Sequence, residues 1–143
     1  MPTKVLRRMA LAAAVAWLWA PQAAAQVVVI LSAKNSIGKL TPDQVSQLFL
    51  GQATTFYTGW KAEPLDLPEA SPIRQAFYQK ATGKNAAQLK AHWSKQTFSG
   101  NGQPPAVIAT PAELVKLVAT HPKFIAYVDK SAVDETVKVV LSF

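Results

Sequence analysis

A run of six residues decides the fold of this chain: Gln26-Val27-Val28-Val29-Ile30-Leu31. Four of the six are β-branched, and no polar residue interrupts the apolar run after Gln26. A strand with one solvated face alternates apolar and polar residues, whereas a continuous apolar run is typical of a strand buried on both faces. Such strands lie inside α/β sheets, so the run predicts an internal strand of an α/β domain.

The residues before this strand have the pattern of an export signal. Three basic residues lie within the first eight, an apolar run follows at 9–20, and Ala23-Ala24-Ala25 offers a small-residue cleavage site. We therefore predict that residues 1–25 are a secretory signal peptide cut before Gln26, and that the mature protein is periplasmic or secreted. The apolar run is shorter than the roughly 20 residues of a transmembrane helix, so no membrane span is expected after cleavage.

Residues 26–143 are expected to form one domain, because about 120 residues suffice for one core. The sequence contains no cysteine, which excludes disulfides and thiolate metal sites. Residues 26–143 hold 12 basic and eight acidic side chains, a net charge of +4, and the basic ones form no run of neighbours. This dispersed charge argues against a nucleic-acid partner and indicates a weak general preference for anions.

Four helix starts and three further strands complete the predicted order. Helices are expected after Thr41, Ser71, Asn85 and Thr110, because these capping residues precede apolar residues at helical spacing, and three are followed by proline. Strands are expected at 62–67, 123–128 and 136–141. The order strand, helix, strand, three helices, strand, strand predicts a three-layer α/β domain with a mixed sheet.

The corner between the second strand and its helix, residues 64–78, is the candidate functional region. Ser71 begins the helix, and the N–H groups of a helix start can hold an anion. Ser71 also caps its own helix, and most Ser-Pro starts bind nothing, so both interpretations stay open at this point. The glycines of 99–105 are predicted to lie in a mobile loop where backbone N–H groups can approach a ligand, although their spacing matches no phosphate loop.

Other polar and aromatic residues carry weaker signals. Phe56, Tyr57 and Trp60 are predicted to cover an edge of the core. His92 lies beside a tryptophan without a visible polar partner, which favours a structural or exposed role. The two histidines and scattered carboxylates form no metal-ligand spacing and no catalytic triad motif, so we expect no enzyme activity, no metal and no cofactor.

Several spaced motifs resemble those of the phosphate-type substrate-binding proteins of ABC transporters. The stretch 40–51, Leu-Thr-Pro-Asp-Gln-Val-Ser-Gln-Leu-Phe-Leu-Gly, is similar to a helix of that family and is followed, as in the family, by a tryptophan, here Trp60. Ser71 stands where the family has the serine of a Ser-Gly-Thr motif, and 124–128, Phe-Ile-Ala-Tyr-Val, is similar to a late strand. The resemblance covers nearly all of 26–143 and implies the fold of a type 2 periplasmic binding protein that is reduced to a single lobe.

The resemblance implies binding of phosphate or a similar small oxyanion at this corner. Together with the physics of helix starts, it leads to the hypothesis that the oxyanion is held at Ser71 with help from Arg74 and from the glycine loop around Gly100 and Gly102. This chain departs from the motif because Pro72 and Ile73 replace the glycine and threonine, which removes one amide and one hydroxyl donor. Two nearby acidic residues, Asp66 and Glu69, also oppose an anion by electrostatics.

Two functions therefore remain in view. The first is an exported solute-binding-type protein that recognises a small oxyanion and is linked to a membrane transporter for phosphate. The alternative keeps the fold without the ligand: an interaction module that docks on another envelope protein through its cleft edge or through the aromatic residues near Trp60, since fold does not fix function.

Overall fold

The computed structural model describes residues 25–143. The predicted signal peptide therefore lies outside the described residues, except for Ala25. The described chain forms five strands and four helices, which confirms the predicted α/β class. The strands are β1 (Val27–Ser32), β2 (Glu63–Asp66), β3 (Ala106–Val107), β4 (Phe124–Asp129) and β5 (Val137–Ser142), and the helices are α1 (Pro42–Phe49), α2 (Pro72–Thr82), α3 (Ala86–Phe98) and α4 (Pro111–Thr120).

The sheet is mixed, as predicted, with the strand order β3-β2-β4-β1-β5. β2 is parallel to both β3 and β4, whereas β1 runs antiparallel to β4 and to β5. All six residues of β1 are buried, as the apolar run at its start predicts. The strand β3 was not predicted, because a two-residue edge strand with both residues exposed has no periodicity to detect.

The helices cover both faces of the sheet. α1 packs on α2, which also contacts β1 and β4, while α4 lies along β4, β1 and β5. Between the sheet and the first two helices lies an aromatic core in which the rings of Phe77 and Tyr127 stack with centroids 4.0 Å apart. The ring of Phe49 meets Phe77 edge to face at 4.8 Å. This cluster fixes α2 against the sheet and thereby positions the corner that precedes it.

All four predicted helix starts are confirmed by their caps. The side chains of Thr41, Ser71, Asn85 and Thr110 each accept a hydrogen bond from the backbone N–H three residues on. Gly83 ends α2 with a φ of 70°, the left-handed conformation that glycine adopts without strain.

The helix α3 is fixed to the end of α1 by two side chains. His92 Nε2 lies 2.8 Å from the carbonyl oxygen of Leu50, which confirms a structural role for this histidine. The ring of Trp93 covers Gly51, whose φ is 72°. A Cβ atom at Gly51 would lie 2.9 Å from Trp93 Cη2, so the contact requires glycine for both space and backbone conformation.

The prediction that three aromatic residues cover an edge of the core is wrong for two of them. Phe56 is buried, as expected for a residue at a core edge. Tyr57 and Trp60, however, are 61% and 77% exposed, so they do not cover the core. The reason is local: Phe56 N–H donates to the carbonyl of Trp60 and Gly59 N–H donates to that of Phe56, which closes a tight turn whose tip projects into solvent.

Candidate functional site

The corner between β2 and α2 is built as the sequence predicts. β2 ends at Asp66, and α2 begins at Pro72 with Ser71 as its N-cap. Arg74 N–H donates to Ser71 Oγ at 3.4 Å, and Gln75 N–H donates to the Ser71 carbonyl at 3.2 Å. Pro72 has no N–H to donate. Of the N–H groups in the first turn of α2, that of Ile73 therefore has no acceptor within residues 25–143.

Asp66 is the centre of this corner. Its side chain is buried and accepts hydrogen bonds from four groups: the Leu67 N–H at 2.9 Å, the Tyr78 hydroxyl at 2.8 Å, the Tyr127 hydroxyl, and Arg74 Nε at 3.3 Å. Three of these donors meet Oδ1, and Tyr78 meets Oδ2. A buried carboxylate requires such partners, because leaving it unpaired costs several kcal/mol or more. The network therefore links β2, α2 and β4 through one side chain.

The two tyrosine hydroxyls are held in their neutral, donating form. Burial raises the pKa of both Tyr78 and Tyr127 far above the ordinary value for tyrosine. The negative charge of Asp66 and the hydrogen bonds that the hydroxyls donate to it raise the pKa of each further. A phenolate beside a buried carboxylate would bring two like charges together, so both hydroxyls act as donors.

Arg74 is fixed rather than solvated. Its side chain is 16% exposed and forms an ion pair with Asp66, and its guanidinium carbon lies 5.1 Å from the centroid of the Tyr78 ring. The guanidinium has five N–H donors, and within residues 25–143 the structure gives a hydrogen bond from Nε alone, so the other donors can serve a ligand.

A groove of about 710 Å³ opens at this corner, at the carboxyl ends of β2 and β3. We call it the carboxyl-end groove. Ligands of open α/β sheets bind at the carboxyl ends of strands, so the groove is in the expected place for a ligand site. Fourteen residues line it: Asp66, Leu67, Glu69, Arg74, Ala86, Leu89, Lys90, Trp93, Ser94, Thr97, Phe98, Pro104, Pro105 and Val107.

The structure brings some of the sequence-predicted site residues together and leaves others apart. Arg74 lines the carboxyl-end groove. Ser71 caps the helix beside it but is not among the lining residues. Gly100 and Gly102 lie in the turn after α3, both with positive φ, and the same loop contributes Pro104 and Pro105 to the groove instead.

Sequence reasoning treated Asp66 as an unfavourable charge and missed its role as the acceptor of the network. No local signal identifies that role, because Tyr127 lies 61 residues further along the chain and meets Asp66 only through the pairing of β2 with β4. Within residues 25–143 there is no cluster of metal-ligating side chains, and no helix there has the length and apolar character needed to cross a bilayer.

Sequence comparisons identify no relative: no family model matches the chain, and no curated protein does. Comparison of the structure with solved structures does find neighbours. A protein assigned as a phosphate ABC transporter substrate-binding protein, with bound phosphate, from Clostridium perfringens has a TM-score of 0.64 and 20% identity over 81% of this chain and 45% of its own. An ABC-type phosphate transport receptor from Vibrio cholerae has a TM-score of 0.58 and 16% identity over 81% and 46%.

A third neighbour, PstS from Borrelia burgdorferi, also has a TM-score of 0.58, with 13% identity over 81% of this chain and 47% of its own. This chain thus spans under half the length of each of these neighbours. At these identities the likeness concerns the fold alone. The described chain has the α/β fold of a single lobe of the phosphate-type substrate-binding proteins.

Proposed function

We propose that this protein is an exported solute-binding-type protein that holds a small oxyanion, phosphate above all, at the corner between β2 and α2. The observation that carries the proposal is the position of Arg74, whose guanidinium is fixed by Asp66 and Tyr78 and lines the carboxyl-end groove. The same proposal includes export to the periplasm and a partnership with a membrane transporter. It also includes that the protein has no catalytic activity and needs no cofactor.

In this proposal the corner supplies three kinds of donor. The guanidinium of Arg74 provides the positive charge and N–H donors with a geometry suited to oxyanions. The Ser71 hydroxyl and the Ile73 N–H add neutral donors at the positive end of the helix dipole. Gly100 and Gly102 shape the loop that carries the proline wall of the groove.

Asp66 determines which oxyanions fit. Its carboxylate neutralises much of the charge of Arg74 and repels a fully deprotonated anion. Its Oδ2 accepts one hydrogen bond, from Tyr78, so that atom retains a lone pair for a further donor. Hydrogen phosphate carries an O–H donor at neutral pH and sulfate does not, so the corner should prefer phosphate to sulfate.

The affinity is expected to be modest. The groove is open to water on one side, and water screens charge pairs strongly. Binding should therefore weaken as the ionic strength rises.

Isothermal titration with phosphate and with sulfate tests the proposal. We expect saturable phosphate binding that is stronger than sulfate binding, is lost in Arg74→Gln and is weakened in Ser71→Ala. Lys80→Gln is the matched control, because Lys80 is an exposed cation on the same helix that does not line the groove. Circular dichroism checks that each variant is folded. Absence of saturable heat with phosphate, or equal losses in the Arg74 and Lys80 variants, would contradict the proposal.

A second candidate function rests on two exposed apolar side chains. Phe98 is 96% exposed and Val107 is 60% exposed, and both line the carboxyl-end groove. Large exposed apolar groups of this kind favour a protein-docking surface, the interaction module of the alternative hypothesis. A photo-crosslinking amino acid at position 98 should then form adducts with an envelope protein, and one at position 80 should not. Equal labelling at the two positions would reject this candidate.

A further inference from the structure

A second pocket lies at the opposite edge of the sheet from the carboxyl-end groove, where β1 ends and β2 and β4 begin. Its volume is about 510 Å³, within the usual range for sites that bind small molecules. Three segments far apart in the sequence form its walls, 34–37, 56–61 and 121–123. We call it the basic pocket. The basic pocket therefore lies apart from the corner at which we propose that an oxyanion binds.

The basic pocket concentrates positive charge. Lys34, Lys61 and Lys123 line it together with His121, and no lining residue is acidic. Lys123 forms an ion pair with Glu63 at 3.3 Å, and in residues 25–143 the structure records no ion pair for Lys34 or Lys61. Convergent charges of one sign in a concave surface raise the local potential and attract ions of the opposite sign.

The same pocket presents aromatic surface. Trp60, which is 77% exposed, lines it, and the buried Phe56 is among the same lining residues. The turn described above fixes the backbone of both, because the Phe56 N–H donates to the Trp60 carbonyl at 2.9 Å. An exposed indole on a fixed backbone offers a flat surface on which a ligand ring can stack without loss of backbone entropy.

A hydrogen bond ties the 34–37 wall to the 121–123 wall, and further hydrogen bonds order each of these walls. The side chain of Asn35 donates to the Pro122 carbonyl at 2.8 Å and accepts the Ile37 N–H at 2.8 Å. Nδ1 of His121 accepts the Lys123 N–H at 3.0 Å, so in the neutral ring the proton is on Nε2, which is a donor. Two of the three walls are therefore held together, and the lysines and His121 supply donors to the pocket.

We propose that the basic pocket binds a small aromatic anion, a molecule of one or two fused rings that carries a carboxylate, sulfonate or phosphate group. The ring packs on Trp60, and the anionic group meets Lys34 and Lys61. A concave pocket with lysines on separate walls suits a small ligand better than a flat lipid surface. This site is independent of oxyanion binding at Arg74.

Isothermal titration of the purified protein with naphthalene-2-sulfonate tests this inference. We expect saturable binding that weakens about tenfold in the double variant Lys34→Gln/Lys61→Gln and by a similar factor in Trp60→Ala, since charge-assisted and stacking contacts each contribute on this scale. Uncharged naphthalene-2-methanol should bind about tenfold less tightly for the same reason. Lys80→Gln/Lys116→Gln, which removes the same net charge from exposed helix positions, should leave the affinity within about twofold.

A saturating concentration of inorganic phosphate should not displace naphthalene-2-sulfonate, because the two sites lie at opposite edges of the sheet. The inference is overturned by absence of saturable binding, by an equal loss in the Lys80→Gln/Lys116→Gln control, or by displacement with phosphate. It is also overturned if phosphatidylglycerol vesicles, and not naphthalene-2-sulfonate, bind in a manner that depends on Lys34 and Lys61, since the face would then be a membrane-contact surface.

Discussion

Replacement of Asp66 by asparagine should be among the most damaging single changes to this protein, although it alters one atom. The variant keeps the shape of the side chain and removes its charge, so Arg74 loses the partner of a largely buried ion pair. Breaking a buried pair by removing one charge costs about 3–5 kcal/mol. The remaining amide oxygen is a neutral acceptor, so each hydrogen bond that it keeps weakens by about 1 kcal/mol, and any donor that meets the new NH2 group loses its acceptor.

The opposite change, Arg74→Gln, should cost less. Asp66 keeps its other three donors, from Leu67, Tyr78 and Tyr127, so the carboxylate stays satisfied. Because Arg74 keeps 16% exposure, we take the lower end of the range for Asp66→Asn, about 3 kcal/mol, against about 1–2 kcal/mol for Arg74→Gln.

Urea unfolding at neutral pH, followed by circular dichroism, measures both changes. A free energy of unfolding that falls by less than about 1 kcal/mol in Asp66→Asn would refute the view that Asp66 organises the corner. So would a larger loss in Arg74→Gln than in Asp66→Asn, because the reasoning requires the acceptor to matter more than any one donor. A double-mutant cycle that combines Asp66→Asn with Arg74→Gln should give a coupling energy between the two residues well above that of an exposed ion pair.

Three further outcomes are expected. Alkaline pH should destabilise the fold, because the raised pKa values of Tyr78 and Tyr127 keep both hydroxyls protonated in the folded protein above pH ~10. The same tyrosines ionise there in the unfolded chain. The free energy of unfolding should therefore fall by about 1.4 kcal/mol per pH unit for each tyrosine. Urea unfolding at several pH values measures this slope, which Tyr127→Phe should roughly halve; an unchanged slope would contradict the assignment. Gly51→Ala should cost about 2 kcal/mol in thermal unfolding, since it combines a positive φ with the Trp93 contact, whereas Gly38→Ala, in open space, should cost less than about 0.5 kcal/mol; equal costs would refute the packing argument. Thr110→Ala should cost about 1 kcal/mol by the loss of the α4 cap, and an unchanged melting temperature would show that the cap contributes nothing.

The sequence predicts those parts of the fold that depend on neighbouring residues. Each helix begins at a capping side chain that acts within three residues, so Thr41, Ser71, Asn85 and Thr110 could be identified from local sequence. The buried strand β1 could also be predicted from local sequence, because its residues are continuously apolar instead of alternating with polar ones. Edge strand β3 could not, since two exposed residues are held there by pairing with β2 rather than by their own pattern.

The candidate sites are harder to predict from the sequence than the fold, because both depend on contacts between distant segments. Ser71 and Arg74 are predicted from one helix start, but Asp66, the partner of Arg74, also binds Tyr127, which lies 61 residues further along the chain. The lysines of the basic pocket are scattered through the sequence, and only the pairing of β1 and β2 with β4 brings their loops together. Dispersed charge in a sequence therefore does not imply dispersed charge on the folded surface.

The most direct test of the proposed function is nuclear magnetic resonance of the labelled protein during titration with phosphate. The account predicts saturable shifts of backbone amide signals that are confined to Ser71, Ile73, Arg74 and neighbouring Leu67. In Arg74→Gln, phosphate should leave the amide signals of this corner unshifted. The signals of Trp60 and Lys61, at the opposite edge of the sheet, should stay unchanged. Shifts centred on Trp60 and Lys61, or no saturable shift at any amide, would contradict oxyanion binding at this corner.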